Sequence, residues 1–341
     1  MSPQPARATT PHPVPAGAPA LLAELASGAA RSGRELAARL GVTRAAVWKQ
    51  VEQLRGLGLA IAASRGGGYR LEAPFEPLDA ARIEALLDAS ERARLGALAV
   101  HWRLDSTNSE LLRAAAAGPR DRLACLAELQ TAGRGRRGRR WRMPLGGGVA
   151  LSLLKRFDRG IAALAGLSLV AGVAAAEALE DCGVAGVGLK WPNDLVAGGR
   201  KFGGILVELG GDALGPCHAV VGVGVNVRLD ASSAAAIDQP WIDLAALAEP
   251  PPSRNQLAAR LLGRLLAAFD RFDADGFAGF AERYAARDVL RGRTLDVIGA
   301  DGARVGVARG IDARGALRVA FDDGERTLDS GEVSVRAGAP R

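Results

Sequence analysis

Gly133-Arg134-Gly135-Arg136-Arg137-Gly138-Arg139-Arg140-Trp141-Arg142 places six arginines in ten residues between two extended runs, Leu123 to Leu129 and Val149 to Leu154. Glycine between arginines lets the backbone turn tightly and come close to a ligand. The guanidinium groups offer forked donors that match phosphate and carboxylate. An anion-binding loop slung between two strands is the expectation. It ends in no G-K-[ST] and does not match a dinucleotide fingerprint, so it is neither of the familiar phosphate loops. The alternative is a basic RNA-binding tract, against which the flanking strands and the closing Trp141 both weigh.

Working outward, extended candidates at Ala99 to Leu104, Gly188 to Trp191, Gly204 to Leu209 and Ala219 to Val227 alternate with helices at Asn108 to Ala117, Ala162 to Asp181 and Gln256 to Phe272. Such an order predicts a mixed sheet with helices on it, and not a regular βαβ series. A further helix is expected around Ala80 to Leu87. From Leu295 the pattern changes to short strands with glycine turns (Leu295 to Ile298, Val305 to Ile311, Leu317 to Phe321, Arg326 to Leu328, Val333 to Val335), a small all-β barrel.

Three more segments carry chemistry. Lys190-Trp191-Pro192-Asn193-Asp194 closes an apolar strand, and Pro192 stops ladder pairing there, so the Lys190 ammonium is held near the strand end. A fixed cation at that place can neutralise charge developing on a phosphoryl or acyl oxygen. Lys201-Phe202-Gly203-Gly204-Ile205-Leu206-Val207-Glu208 and Val221-Gly222-Val223-Gly224-Val225-Asn226 are strands interrupted by glycine. Glycine is costly there, and either a flat ligand on the sheet or a bulge would explain it. Asp105-Ser106-Thr107-Asn108 ends a strand and opens a helix; its small polar groups fit a helix N-cap or the recognition of an amide-like ligand. Only four lysines and four asparagines occur in the chain, and two and three of them respectively fall in these segments.

The N-terminal part reads differently. Residues 1–18 are rich in Pro, Ala and Thr and are expected to be a disordered tail. Leu21, Leu22 and Leu25 mark a first helix; Ser32 with Glu35 forms a capping box for a second; Thr43 caps a third, with Val47, Val51 and Leu54 on one face. Short extended runs follow around Ser64-Arg65-Gly66-Gly67-Gly68. The pattern is a winged helix-turn-helix over 19–73. Arg44, Trp48, Lys49 and Gln53 lie off the apolar stripe of the third helix, and Arg65 sits at the wing tip. These are the candidate DNA contacts, although such modules also bind proteins and Trp48 would alternatively pack on the wing. Residues 1–75 hold nine Arg or Lys against four Asp or Glu, so +5 of the net +7 sits there. Ala73-Pro74-Phe75-Glu76-Pro77 is the expected linker.

The first twenty residues lack an apolar core typical of a secretory signal. Cys125, Cys182 and Cys217 are too widely spaced for a disulfide framework or a zinc site, so a reducing cytoplasm is the expected setting. The apolar run from Ile161 to Ala176 is short for a bilayer span, and a buried helix without membrane partnership is expected.

Taken together, G-R-G-R-R-G-R, K-W-P-N-D, K-F-G-G-I-L-V-E, Arg309-Gly310-Ile311-Asp312 and Gly331-Glu332-Val333-Ser334 resemble the biotin-protein ligase family in its bifunctional bacterial form, over about residues 20 to 336. The resemblance implies an α+β multidomain chain with a winged helix-turn-helix at 19–73. A class II synthetase-like ligase domain at 76–287 and an SH3-like barrel at 288–337 would follow. It implies formation of biotinyl-AMP from biotin and ATP, with Mg²⁺ held through the phosphates and by Asp194. Biotin would then pass to a lysine of the biotin carboxyl carrier protein of acetyl-CoA carboxylase. Repression of biotin synthesis at operator DNA, and a homodimer when biotinyl-AMP is bound, are also implied. By that similarity Ser106, Thr107, Asn108, Gln130 and Gly204 hold biotin; Arg134, Gly135, Arg136 and Lys190 meet its carboxylate and the adenylate phosphate, Arg134, Arg136 and Lys190 acting catalytically; and Arg139, Trp141, Asn193, Asp194 and Asn226 bind ATP. A lipoate or octanoate ligase and a non-catalytic DNA-binding sensor are the rival expectations. The Pro-rich tail and the wing at Ser64 to Gly68 are the departures from the pattern.

Overall fold

The computed structural model describes residues 18–64, 67–73, 75–229, 231–235, 237–299, 302–329 and 334–337. All but Ala18 of the expected disordered segment, the wing arginine Arg65 and Gly331-Glu332-Val333 lie outside them.

Helices α1 (Ala18–Leu25), α2 (Gly33–Leu40) and α3 (Arg44–Gly56) precede the hairpin β1 (Ile61–Ser64) and β2 (Gly68–Leu71). Both expected N-cap residues cap their helices, but the described contacts hold only the first half of the capping box expected at Ser32, the Glu35 carboxylate pairing with Arg31 at 2.7 Å. Ser32 Oγ accepts from Glu35 N at 3.1 Å and Thr43 Oγ1 from Ala46 N at 3.2 Å, which satisfies N–H groups the helices leave orphaned. Gly41 ends α2 at φ 64, the left-handed cap that costs glycine little. Leu21, Leu22, Leu25, Leu36, Val47, Val51 and Leu54 form one small core. Phe75 and Leu145 belong to the same cluster, so this module is packed on the rest of the chain and is not merely tethered to it.

Helices α4 (Ala80–Ala85) and α5 (Ala89–Arg94) lead into β3 (Ala97–Leu104), α6 (Thr107–Ala117), β4 (Leu123–Gln130), β5 (Gly148–Phe157) and α7 (Leu167–Asp181). Next come β6 (Gly188–Lys190), β7 (Asp194–Ala197), β8 (Arg200–Gly211), β9 (Cys217–Asn226), the short α8 (Ala231–Ala235), α9 (Arg254–Asp275) and α10 (Ala281–Ala285). The sheet is seven-stranded in the order β3-β4-β5-β9-β8-β7-β6, parallel only between β3 and β4. This is the mixed sheet expected from the strand and helix order.

One face of the sheet is covered by α7 and α9, whose leucines, valines and phenylalanines pack with Leu126, Val149, Leu151 and Val223 in the main core. Ile161–Asp181 is apolar enough to cross a membrane by length and composition, but α7 is the central core helix of this layer. On the other face α6 lays Leu111 and Ala115 on Leu123, Cys125, Leu154 and Val220. Because α6 covers only part of that face, the rest is left for the cavity described below.

Glu128 and Arg254, both about 4% exposed, pair at 2.8 Å under the linker. Leu78 N donates to Glu128 at 2.5 Å, and Arg254 also reaches Gly148 O at 2.9 Å and Glu76 O at 2.8 Å. A buried charge pair is tolerable only when its remaining lone pairs and protons are met, as they are here.

The last strands, β10 (Thr294–Gly299), β11 (Gly302–Ile311), β12 (Leu317–Phe321), β13 (Gly324–Leu328) and β14 (Ser334–Ala337), form an antiparallel sheet ordered β13-β12-β11-β10-β14. Its β11–β12 turn is docked on the central domain: Trp191 Nε1 donates to Gly315 O at 3.1 Å, and an added side chain at Gly315 would meet Leu169 at 2.9 Å.

Candidate active site

Gly204, Gly222 and Gly224, with Ala150, make a bare patch across the middle of the sheet: Gly204 pairs with Gly224, Ala150 with Gly224, and Ser152 with Gly222. The β8–β9 register runs unbroken from Gly203↔Val225 to Gly211↔Cys217, whereas the β7–β8 register shifts between Leu195 and Val196, so a bulge accompanies the Lys201-Phe202-Gly203-Gly204 stretch and none falls at Gly222 or Gly224. Their neighbours give the reason. A Cβ on Gly222 would stand 2.3 Å from Asn108 Oδ1, and one on Gly224 2.6 Å from the Trp141 indole. The space that glycine clears is taken first by the protein's own Asn108 and Trp141, which flank a cavity of about 580 Å³.

One end of that cavity is polar and neutral. Ser106 caps α6, its extended backbone (φ −160) placing Oγ 3.5 Å from Ser109 N, and the same residue lines the cavity. Thr107 and Asn108 follow, buried, and Gln130 Oε1 accepts from Thr107 N at 2.9 Å and Thr107 Oγ1 at 3.2 Å. Asn108 Nδ2 donates to Glu208 at 2.9 Å and Leu206 O at 3.3 Å. Behind them lies Ser152, fully buried, 2.7 Å from Thr107 Oγ1 and 2.5 Å from Asn108 Oδ1.

The other end is cationic. Gly135 N bonds Arg139 O at 2.8 Å and Trp141 N bonds Gly133 O at 2.9 Å, so the arginine loop closes on itself above the cavity. Arg137 adopts φ 55 within it, a left-handed backbone that non-glycine residues seldom take. Arg134 pairs with Glu208 at 2.7 Å, and Arg136 Nη1 donates to Asn193 Oδ1 at 3.3 Å. Burial, and then the like charge of Arg137, push the Arg136 guanidinium below its ordinary range, while Asp194 works the other way. Such a group gains from an anion.

Lys190 and Asp194 stand opposite each other where β6 turns into β7, a strand too short for the sequence to announce. The turn is pinned on several sides: Ser168 Oγ donates to Pro192 O at 2.9 Å, Asn193 Nδ2 to Ile205 O at 2.9 Å, and Trp191 to the C-terminal sheet. Among the described residues Lys190 Nζ has no hydrogen-bond or ion-pair partner, whereas Asp194 is bound to Lys201 Nζ at 2.5 Å.

The cavity therefore brings together Ser106, Thr107, Asn108, Gln130 and Gly204 with Arg134, Gly135, Arg136, Arg139, Trp141, Lys190, Asn193 and Asp194. Asn226 is the exception: it lies buried at the end of β9 beside Gly148, its Oδ1 without a partner among the described residues, outside the cavity lining. Ser152, Gly222, Glu208 and Lys201 were not anticipated as site residues. Ser152 carries no local signal, since a serine in an apolar strand is unremarkable.

Among the described residues no three His, Cys, Asp or Glu side chains gather as a metal cage, and the carboxylate of Asp194 is already neutralised by Lys201. The donor set suits a magnesium ion that arrives on phosphates, with few protein ligands. The thiols of Cys125, Cys182 and Cys217 are all raised by burial, Cys182 to about 11, so none is a ready nucleophile.

On the N-terminal module, Arg44, Trp48, Lys49 and Gln53 are all exposed on α3, Trp48 to 58%.

Comparison with known proteins agrees with this anatomy. The helix-turn-helix domain model matches residues 20–70, the biotin/lipoate A/B protein ligase family model residues 101–226, and the biotin protein ligase C-terminal domain model residues 293–336. The bifunctional ligase/repressor BirA of Salmonella typhimurium is 40% identical over 93% of this chain and 97% of its own length. The Escherichia coli protein of the same name is 39% identical over 93% and 96%. Among solved structures, the biotin protein ligase of Aquifex aeolicus in complex with biotin and ATP superposes with a TM-score of 0.60 at 27% identity, covering 71% of this chain and 99% of that one. The chain belongs to the biotin protein ligase family, in the bifunctional form that sets a helix-turn-helix domain ahead of the ligase.

Proposed function

We propose that this protein activates biotin with ATP as biotinyl-AMP, transfers the biotin to a lysine of the biotin carboxyl carrier protein of acetyl-CoA carboxylase, and represses biotin synthesis through its N-terminal domain. One observation carries the ligase half: a single cavity has neutral hydrogen-bonding groups at one end and converging cations at the other. Biotin has that polarity, with a polar ureido ring at one end and a carboxylate at the other. Lipoate or octanoate would set an apolar chain against Ser106, Thr107, Asn108 and Gln130 and forgo the hydrogen bonds that a polar ring can make there.

Adenylation is attack by the biotin carboxylate on the α-phosphorus of ATP, with pyrophosphate leaving. Two anions must meet, and Arg134, Arg136 and Lys190 offset their repulsion without any enzyme nucleophile. Magnesium would supply further neutralisation of the departing pyrophosphate, held by the nucleotide with Asp194 beside it. Trp141, Arg139, Asn193 and Asp194 form the nucleotide side of the cavity. The arginine loop then shields the mixed anhydride from water until the carrier's lysine amine attacks its acyl carbon and AMP departs.

Arg44, Trp48, Lys49 and Gln53 are the operator-facing groups, and a homodimer formed on binding biotinyl-AMP would present two such helices to the DNA. Both activities belong in the cytoplasm. The decisive experiment incubates the full chain with biotin, Mg²⁺-ATP and a carrier domain; a single added biotin on one carrier lysine by mass spectrometry is expected, and none would refute the ligase reading. For the repressor half, a gel shift on the organism's own biotin-operon promoter should appear with biotinyl-AMP and weaken steeply with salt. No shift would refute it.

A further inference from the structure

Ser152 lies outside the cavity lining and has no place in the chemistry above, yet it is fully buried with its hydroxyl against two of the ligand-facing residues. Following its single proton determines what the pocket offers a ligand. Asn108 is orientated by Nδ2, which faces only acceptors, the Glu208 carboxylate at 2.9 Å and Leu206 O at 3.3 Å. Its Oδ1 must therefore be the atom 2.5 Å from Ser152 Oγ, and a carbonyl oxygen can only accept, so the Ser152 proton is spent there. Thr107 Oγ1, 2.7 Å from Ser152 Oγ, then receives nothing from Ser152 and must donate. Its two partners are Ser152 Oγ and Gln130 Oε1 at 3.2 Å, the second fixed as an acceptor by Thr107 N at 2.9 Å. Either choice uses the threonine's proton inside the protein. What Thr107 turns to the cavity is lone pair alone.

We propose that Ser152 is a positioning residue that, through Asn108, locks the Thr107 hydroxyl as an acceptor and so tunes the pocket for a ring that donates an N–H. The inference rests on the biotin reading, since the ureido group supplies such a donor. Glycine at 222 is part of the same device, because a Cβ there would stand 2.3 Å from Asn108 Oδ1 and break the chain at its first link. Without Ser152, Asn108 Oδ1 loses its donor and the Thr107 hydroxyl keeps only the longer contact to Gln130 Oε1 at 3.2 Å, so its proton is held less firmly away from the cavity, where it would face the ligand's own N–H.

The test uses the full chain and three ligands: biotin and the two isomers methylated on one ureido nitrogen. Calorimetry gives their affinities, and pyrophosphate release gives KM for biotin and ATP separately. Wild-type protein should lose at least about tenfold in affinity for one methylated isomer, the size of one mismatched hydrogen bond. Ser152→Ala should raise the biotin KM by about the same factor, leave the ATP KM near wild type, and shrink the discrimination between biotin and that isomer. Ser152→Cys, which keeps a weaker donor at nearly the same volume, should fall between the two and carries the comparison if the alanine variant does not fold. Biotin KM and methyl discrimination unchanged in the variants would overturn the inference, as would biotin and ATP KM rising together, the mark of a loosened fold. A wild-type protein that transfers no biotin would instead remove the reading on which the inference rests.

Discussion

Gly224→Ala should uncouple nucleotide binding from biotin binding. An alanine Cβ at this position would lie 2.6 Å from Trp141 Cε2 and 2.8 Å from Cζ2 and Nε1. Carbon atoms in good contact sit about 3.5–4.0 Å apart, so the overlap is about 1 Å. The indole cannot retreat by moving its backbone, because Trp141 N is bonded to Gly133 O at 2.9 Å and a Cβ on Gly133 would itself be 2.4 Å from Trp141 O. Either the ring tilts into the cavity or the strand yields. Overpacking of this size costs about 1–3 kcal/mol, which is roughly 5- to 150-fold in an equilibrium constant. The backbone itself does not object, since Gly224 has no positive φ and alanine is the better strand residue. With Trp141 as the platform beside the nucleotide, the ATP KM in pyrophosphate release should rise by that factor, while biotin binding measured without ATP stays near wild type. An unchanged ATP KM would refute the role given to Trp141. A parallel loss of biotin affinity would refute the division of the cavity into two ends.

Lys190→Ala should leave the melting temperature near wild type and slow adenylation at least tenfold, a barrier rise of about 1.4 kcal/mol or more, read by single-turnover formation of biotinyl-AMP. Arg254→Met should cost about 3–5 kcal/mol in urea denaturation by stranding the Glu128 carboxylate, and adding Glu128→Leu should recover much of the loss. The hydrogen-bonding guanidinium of Arg113 lowers the Asp105 carboxyl to about 2. A folded value below the unfolded one stabilises above the unfolded pKa of about 3.9, and the gain is lost as pH falls toward 2. Asp105→Asn should therefore melt below wild type at about pH 6, modestly because both side chains are 45% exposed, and the gap should close in acid.

What could be read in the sequence was whatever local chemistry dictates. Ser32, Thr43 and Gly41 fix helix ends through contacts a few residues away, so α2 and α3 fall within a residue or two of expectation. The arginine loop and the lysine at a strand end are likewise local, and both reach the cavity. Long-range facts were not legible. Strand β7 is only Asp194–Ala197, too short to show a period, and exists because β8 pairs with it. The glycines of β8 and β9 left a ligand and a bulge equally open, and only the packing of Trp141 and Asn108 against them shows what the space is for. Asn226 looked like its companions in the motif, yet its place at the end of β9 beside Gly148 leaves it outside the cavity lining.

The charge pattern gives these pieces a common logic. Two lysines approach the β6–β7 turn, and the structure gives them different work: Lys201 is spent on Asp194 at 2.5 Å, while Lys190 has no such partner among the described residues. Neutralising Asp194 matters because a free carboxylate opposite Lys190 in the hairpin would compete with the substrates for its ammonium. Arg134 is paired with Glu208 and Arg136 donates to the Asn193 amide, where burial and Arg137 disfavour the charge of Arg136. An anion that joins Arg136 and Lys190 is stabilised by both, and most so is the species carrying an acyl oxygen and a phosphoryl oxygen together. Interactions of that kind act most strongly at the junction where the new bond forms, and so favour the transition state over the separate substrates.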